Sequence, residues 1–348
     1  MGAAAASDAP LLRLLAGWPV AAVERAGEGR SLVAACALPA GALLLASQPF
    51  GRVIYAPARR RWCAQCHGLS AGCALRRCCR AGADGCGACF CSRRCADAAA
   101  PRHGAALCAA RCMLRAGRQA LGAAPLHCLD AECTTLALLL LDAAAHHAAQ
   151  RCGLALAPAA AEAGAPPAPA PRLQDVLAMY SPCAADADRL GGWHAKWAAC
   201  ADAVVAAARV ACGGDEHAAH ELLGGLDAAT LAAVASKDLS NSFGLWDRGH
   251  ACAEQPLRSG GHALFPAAAL LNHSCVPTAY HERTMMLLCL LRPGFLTAMI
   301  AFPLAQICGR RTAGRCWRCA RCVTWRRARR SPSATSTPRA ATASARSR

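Results

Sequence analysis

The chain has 348 residues, enough for one large domain or two modest ones and too many for a bare disulfide scaffold. Its 55% hydrophobic fraction overstates the core, because much of it is alanine and 25 residues are cysteine, so a core must lean on Leu, Val and Ala. The net charge of +17 is uneven: Gly309 to Arg348 hold 12 Arg and no acid, which leaves +5 for everything before and makes the basic balance mostly a tail property.

Met1 to Val20 carries Asp8 and no basic n-region, so it does not read as a signal peptide, and Ala6 breaks the myristoylation pattern. A reducing compartment is expected, where clustered cysteines mean metal more often than disulfides. In chain order, Arg30-Ser31-Leu32-Val33-Ala34-Ala35 predicts a strand, Leu38-Pro39-Ala40-Gly41 a turn, and Ala42 to Ala46 a second apolar strand. Residues 63–112 hold 11 of the 25 Cys. A helix follows, with Asp130 as its N-cap before the Leu136–Leu141 run. Ala155 to Pro171 is Ala/Pro-rich and predicts an extended, disordered linker. Residues 173–235 predict helix again, including an Ala-rich stretch from Trp193 to Ala211. Trp193, Trp197 and Trp246 read as core or interface residues. From Ser240 to Thr278 the segments are short and turn-punctuated, and after Arg283 the sequence changes character.

The cysteine block runs Cys63-x2-Cys66, then Cys86-x2-Cys89, Phe90, Cys91-x3-Cys95-x7-His103-x4-Cys108. Thiolates are soft ligands, two on a short loop can share one tetrahedral Zn²⁺, and eight such ligands suffice for two closed sites. The segment from Phe90 to Cys108 resembles the second half of a MYND zinc finger. That resemblance implies interleaved ligands: Cys63, Cys66, Cys91 and Cys95 for one zinc, and Cys86, Cys89, His103 and Cys108 for the other. Only one residue separates Cys89 from Cys91, where the family has four or five, so Cys73, Cys78 or Cys79 could replace a member of the middle pair. The helix after Cys91 should be short, because the chain reaches Pro101.

Leu270-Leu271-Asn272-His273-Ser274-Cys275-x-Pro277 is the most specific string in the chain. With Ser240-Asn241-Ser242-Phe243-Gly244 and Gly29-Arg30-Ser31-Leu32-Val33-Ala34, it resembles the SET domain of SET–MYND (SMYD-type) protein lysine methyltransferases. The resemblance covers roughly residues 23–282, less the linker. It implies an α+β protein in which a SET β fold is split by a MYND finger and a helical insert: 20–62 N-terminal SET, 63–108 MYND, 109–154 helical, 155–171 linker, 172–236 helical insert, 237–283 core SET and 284–348 a disordered basic tail. It implies S-adenosylmethionine held by Gly29, Arg30, Asn241, Leu271, Asn272 and His273, and two structural zincs. A third, post-SET zinc would be held by Cys275 with Cys316, Cys319 and Cys322. The implied reaction transfers a methyl group from a sulfonium to a neutral lysine amine, with proximity and alignment doing most of the work.

The family's catalytic tyrosine segment is absent. No acid follows Glu282, and the last tyrosine is Tyr280, so no residue is assigned as catalytic. A degenerate SET domain is one account; a shifted reading frame or retained intron from about residue 284 is the other, favoured by 66 acid-free residues ending in low complexity. Either way, the chain as written should transfer methyl groups poorly or not at all. Met285 to Cys308 is apolar, but Arg292-Pro293-Gly294 leaves a clean run of only 14 residues from Phe295, short of the roughly 20 a bilayer needs. The resemblance implies a histone or other protein lysine as substrate and a nuclear or cytoplasmic monomer. Proline-containing peptides would bind through the MYND finger, and neither specific nucleic acid nor a membrane is implied. A non-catalytic MYND binding module with a remnant SET domain is the alternative. A thiol redox or metal-buffer protein is the weaker third reading.

Overall fold

The computed structural model describes residues 9–25, 29–69, 75–78, 85–116, 129–154, 166, 168–183, 186, 189, 191–246, 259–272, 279–283 and 323–327. The short helix α1 (Ala9–Arg13) precedes an antiparallel pair, β1 (Val20–Arg25) and β2 (Gly29–Ala34), in register from Val20 opposite Ala34 to Arg25 opposite Gly29. β3 (Leu43–Ser47) and β4 (Arg52–Ile54) follow. A cysteine-rich lobe then holds β5 (Arg76–Arg77), β6 (Cys89–Phe90), α2 (Arg93–Ala99) and, after a 3-10 turn at Ala100–Arg102, α3 (Ala105–Ala116). As the proline predicts, α2 ends in that turn, and Ser92 caps its start by accepting from the Cys95 amide at 3.1 Å.

Helix α4 (Ala131–Arg151) is the axis of the molecule. Asp130 caps it, accepting from the Cys133 amide at 2.7 Å as the sequence predicts. Every residue from Leu136 to His146 is buried, so all faces of the helix are covered rather than one stripe. Packed on it are α3, α6 (Trp193–Ala211), α7 (Glu216–Leu222), α8 (Ala228–Ala235) and strand β4; α5 (Leu173–Leu177) lies against α1 and α8. The many alanines have their use here: Ala143 and Ala144 of α4 and Ala201, Ala203, Ala207 and Ala208 of α6 are fully buried, and small side chains let helices approach closely while losing little rotamer entropy. Trp193 and Trp197 are core residues, as predicted.

Helix α9 (Asp238–Asn241) runs directly into β7 (Ser242–Trp246), which pairs with β8 (Ser259–Leu264); β8 is the centre of the sheet β4-β8-β7. A third sheet has the order β3-β10-β9, with β9 at Ala279–Arg283 and β10 at Val323–Arg327. The architecture is mixed α and β, as the sequence predicts.

Two stretches expected to be disordered are partly built in. Val323–Arg327 lies within the basic tail yet forms the central strand of that third sheet; its β-branched and aromatic Val-Thr-Trp start suits a pleated surface. At the end of the Ala/Pro linker, the Ala168 carbonyl accepts from Gln48, that of Ala170 from Arg13, and that of Pro171 from both His146 and Gln150. Proline-rich backbone lacks donors, so its carbonyls are fixed by side chains instead. Residues 155–165 and the apolar segment 285–308 lie outside the described residues. Among the described residues no single helix is long and apolar enough to cross a membrane.

Asp142, at the middle of α4, is the buried charge on which these parts converge. Its Oδ1 accepts from Arg111 Nη2 at 2.9 Å, and its Oδ2 lies 3.5 Å from Arg52 Nε and 3.9 Å from Arg102 Nη1. Gln65 completes the network: its carbonyl and side-chain oxygens accept from Arg52, and the latter also accepts from Arg102 at 3.2 Å. Removing the carboxylate strands buried guanidiniums, so Asp142→Ala should lower stability by about 3–5 kcal/mol in urea unfolding. A loss below about 1 kcal/mol would show that the arginines find other partners.

His146, one turn further along α4, packs against Phe50 with ring centroids 4.8 Å apart. Burial, then the nearby Arg102, lowers its pKa to about 3, and the opposing pull of Asp142 is smaller. Because the folded value lies below the unfolded value of about 6.5, the folded state refuses a proton that the unfolded chain accepts. Stability attributable to this histidine is therefore full above about pH 6.5 and falls, by up to about 1.4 kcal/mol per unit, as pH drops toward 3. His146→Gln, which can still donate to Pro171, should show a shallower decline of urea midpoint with acid than the parent; equal slopes would refute the assignment.

Candidate metal centres and a polar convergence point

The metal candidates fall into two groups whose ligand atoms lie within 4.8 Å of one another: Cys63, Cys66, Cys91 and Cys95; and Cys78, Cys86, His103 and Cys108. In the first, the Cys63–Cys66 loop is a tight knuckle. The Cys66 amide donates to Cys63 Sγ and the Gly68 amide to Cys66 Sγ, both at 3.4 Å, and His67 takes a left-handed φ of 52° to close the turn. Cys91 and Cys95 come from the end of β6 and the first turn of α2. The Cys66–Cys91 and Cys91–Cys95 sulfurs are each 3.5 Å apart.

In the second group, His103 Nε2 lies 3.1 Å from Cys86 Sγ and 3.3 Å from Cys78 Sγ, and Cys78 and Cys108 are 3.8 Å apart. Four sulfurs set tetrahedrally about an ion at about 2.3 Å stand about 3.8 Å from each other. The spacing in both groups is close to the edge of such a tetrahedron.

The thiols' acidities give the same reading. Hydrogen bonds from Cys66 and Cys95 hold Cys63 far below the ordinary thiol range, while the hydrogen bond to Cys63 pushes Cys66 up. Cys91 and Cys108 are also raised, by burial first and then by neighbouring thiolates. Packed this tightly without a cation, one thiol ionises at its neighbours' expense; a divalent ion lets all of them ionise.

The interleaved ligand pattern matches the expectation in seven of its eight places, and the eighth is corrected. Cys89 belongs to neither cluster; Cys78 stands in its place. Only Phe90 separates Cys89 from Cys91, and Cys91 is taken by the first group. Burial raises the Cys89 thiol, Arg77 pulls it back down, and the nearby Cys63 raises it again. Cys78 is brought in by pairing of β5 with β6, its amide donating to the Ala88 carbonyl at 2.9 Å.

The residues predicted to hold a cofactor gather in part around one backbone segment, 178–180. Arg30 Nη2 donates to the Ala178 carbonyl at 2.7 Å, Lys237 Nζ to that of Met179 at 3.0 Å, and Asn241 Nδ2 to that of Tyr180 at 2.8 Å. Burial, then the charge of Arg30, lowers the pKa of Lys237. Gly29, at φ 71°, begins β2 on the exposed side, and a Cβ there would meet nothing within 4 Å. The 3-10 turn Ala268–Leu270 packs on β2 and leads to Leu271, half-buried against the main core, and to exposed Asn272. Lys237 was not anticipated from the sequence. His273, Cys275, Cys316, Cys319 and Cys322 lie outside the described residues.

Also unanticipated is a Tyr55–His262–Asp238 chain, in which His262 Nδ1 is 3.0 Å from the Tyr55 hydroxyl and Nε2 is 3.3 Å from Asp238 Oδ1. Burial raises the pKa of Tyr55, and Asp238 raises it further, so its hydroxyl stays protonated. A scan against protein-family models and a search of curated proteins return no match to this chain.

The two clusters give a prediction that separates them. Relative to the parent protein purified with its metal, Cys78→Ser should carry one ion fewer per chain, whereas Cys89→Ser should carry as many as the parent, as measured by elemental analysis. Loss of metal on Cys89→Ser with retention on Cys78→Ser would restore the ligand set implied by spacing alone.

Proposed function

We propose that this chain is organised as a SET–MYND protein-lysine N-methyltransferase, with zinc in both thiol clusters and S-adenosylmethionine held by Gly29, Arg30, Asn241, Leu271, Asn272 and His273. The observation that carries the reading is the meeting of Arg30, Lys237 and Asn241, from distant parts of the sequence, on the consecutive carbonyls of 178–180. Cysteines with a histidine in this geometry favour zinc, because soft thiolates and imidazole suit it and hard oxygen-seeking cations are poorly served.

In this reading the zincs are structural, closing the lobe between β4 and α4. S-adenosylmethionine, when bound, supplies an already activated methyl group. The chain's own residues do the positioning. Arg30 and Asn241 tie β2 and α9 to the 178–180 segment, so the Gly29 turn and the start of β7 keep a fixed separation. Lys237 adds a cation about this segment, suited to the carboxylate of an amino-acid ligand. The protein substrate would be a histone or other protein lysine, and the zinc lobe would recruit proline-containing peptides, in the nucleus or cytoplasm.

A second reading, a non-catalytic binding module, is favoured by a specific feature: no tyrosine follows Tyr280, and Tyr55 is already engaged with His262. The two readings share cofactor and zinc and differ in turnover. We expect zinc-loaded protein to bind S-adenosylmethionine in calorimetry, Asn241→Ala to weaken that binding at least about tenfold, and transfer of labelled methyl to histones to stay near background. Robust transfer would show that another group takes the tyrosine's place, and no detectable cofactor binding would overturn both the assignment and its residues.

A further inference from the structure

Asp142 also lines an open cleft between the cysteine-rich lobe and the α4–β4 face, with about 480 Å³ of empty space including its mouth. Its lining combines apolar Val53, Ile54, Ala64 and Leu138 with Arg52, Arg59 and Arg111, and Asp142 is the acid among its lining residues. That carboxylate is already shared by Arg52, Arg102 and Arg111. Arg59 has no ion pair or side-chain hydrogen bond among the described residues, and the Nε atoms of Arg52 and Arg111 are buried without a hydrogen-bond partner. Arg115 adds a further cation close by, its Nη1 donating to the Gly85 carbonyl at 2.6 Å.

The backbone is shaped to admit this crowd of cations. Gly87 lines the cleft at φ 73°, and a Cβ there would fall 2.3 Å from Arg115 Nη1 and 3.1 Å from Arg59 Cδ. The two side chains therefore pass over bare backbone. Burial, then repulsion from Arg115, brings the Arg59 pKa down to about 10, against an upward pull from Cys86 and Cys89. An ion held by Cys78, Cys86, His103 and Cys108 would give that site a net charge of one minus, since three thiolates exceed a divalent cation by one. An ion in the group Cys63, Cys66, Cys91 and Cys95 leaves two minus there, so with Asp142 the total is four negative charges against five arginines, Arg52, Arg59, Arg102, Arg111 and Arg115, and one positive charge is left over when both sites are filled.

We propose that this cleft is a binding site for a small oxyanion-bearing molecule, its phosphate or carboxylate group held between Arg59 and Arg111 and its apolar body laid against Val53, Ile54 and Leu138. Guanidinium forks match both oxyanions in two-pronged fashion, and partial burial strengthens the contact relative to water. A phosphate, with three oxygens to divide between two guanidinium forks, should bind more tightly than a carboxylate with two. The site stands apart from the 178–180 segment and does not depend on the methyltransferase reading.

Phenyl phosphate, benzoate and neutral phenol, titrated into metal-loaded full-length protein at matched ionic strength, test this. Expected are saturable binding of phenyl phosphate, weaker binding of benzoate and none of phenol, with Arg59→Gln weakening phenyl phosphate at least tenfold while metal content stays at the parent's value. Unchanged affinity in that variant would place the anion on the arginine-rich tail and overturn the proposal, as would absence of saturable binding. In the unmodified protein, phenyl phosphate should slow the reaction of Arg59 with phenylglyoxal, read by peptide mass spectrometry, without protecting Arg346. Equal rates at Arg59 with and without phenyl phosphate would overturn the proposal independently of any variant's folding.

Discussion

The Asp142 carboxylate is shared by guanidiniums from three separate elements: Arg52 of β4, Arg102 of the 3-10 turn after α2, and Arg111 of α3. It sits on the most buried helix of the molecule, so it cannot yield to follow its partners. Zinc-finger-sized lobes have little core of their own, and here the lobe's core is mostly its cysteines. The lobe is therefore oriented by one buried ion-pair network as much as by apolar contact. Such networks add little net stability over a well-packed apolar substitute, but they penalise any other arrangement, because each misplacement leaves a buried charge alone. The fixed angle between lobe and helical core follows from that penalty.

What the sequence made legible was local. Asp130 before a leucine run, Pro101 after a short helix and the Cys63-x2-Cys66 knuckle each act through near neighbours, and each is found as expected, whereas Cys86-x2-Cys89 is split. The exchange of Cys78 for Cys89 was legible only as one of three alternatives, Cys73, Cys78 or Cys79, since the choice depends on β5 pairing with β6 across a separation no motif spans. The Asp142 network left no trace at all: residues 52, 65, 102, 111 and 142 share no spacing, and single arginines in a basic chain draw no attention. The same holds for Lys237, which is exceptional only because the fold buries it beside a carbonyl.

The convergence on residues 178–180 shows a second kind of limit. Motif reasoning assigns Asn241 to a ligand, yet its amide nitrogen already donates to the Tyr180 and Lys237 carbonyls, each at 2.8 Å. Both amide hydrogens are then spent on protein, so the side-chain oxygen, an acceptor, is what Asn241 can offer a ligand. Arg30 likewise spends a donor on the Ala178 carbonyl. These residues act in the first place as positioning groups, holding β2, α9 and the 178–180 segment at a distance that the fold alone would leave loose.

Charge distribution also reads differently once the chain is folded. By sequence, the basic excess belongs to the last forty residues, and the remainder looks close to balanced at +5. That average conceals a strong separation. The acids Asp130, Asp215 and Asp227 are spent as caps on exposed helix starts, where each accepts from a backbone amide. Arg52, Arg59, Arg102, Arg111 and Arg115 are gathered where the cysteine-rich lobe meets α4, with Asp142 the carboxylate that Arg52, Arg102 and Arg111 share there. Net charge counted along a chain sets solubility and long-range attraction, but binding depends on where the uncompensated charge is desolvated. In this fold that place is the cleft beside Asp142, which is lined by Arg59, a half-buried cation with no ion pair among the described residues.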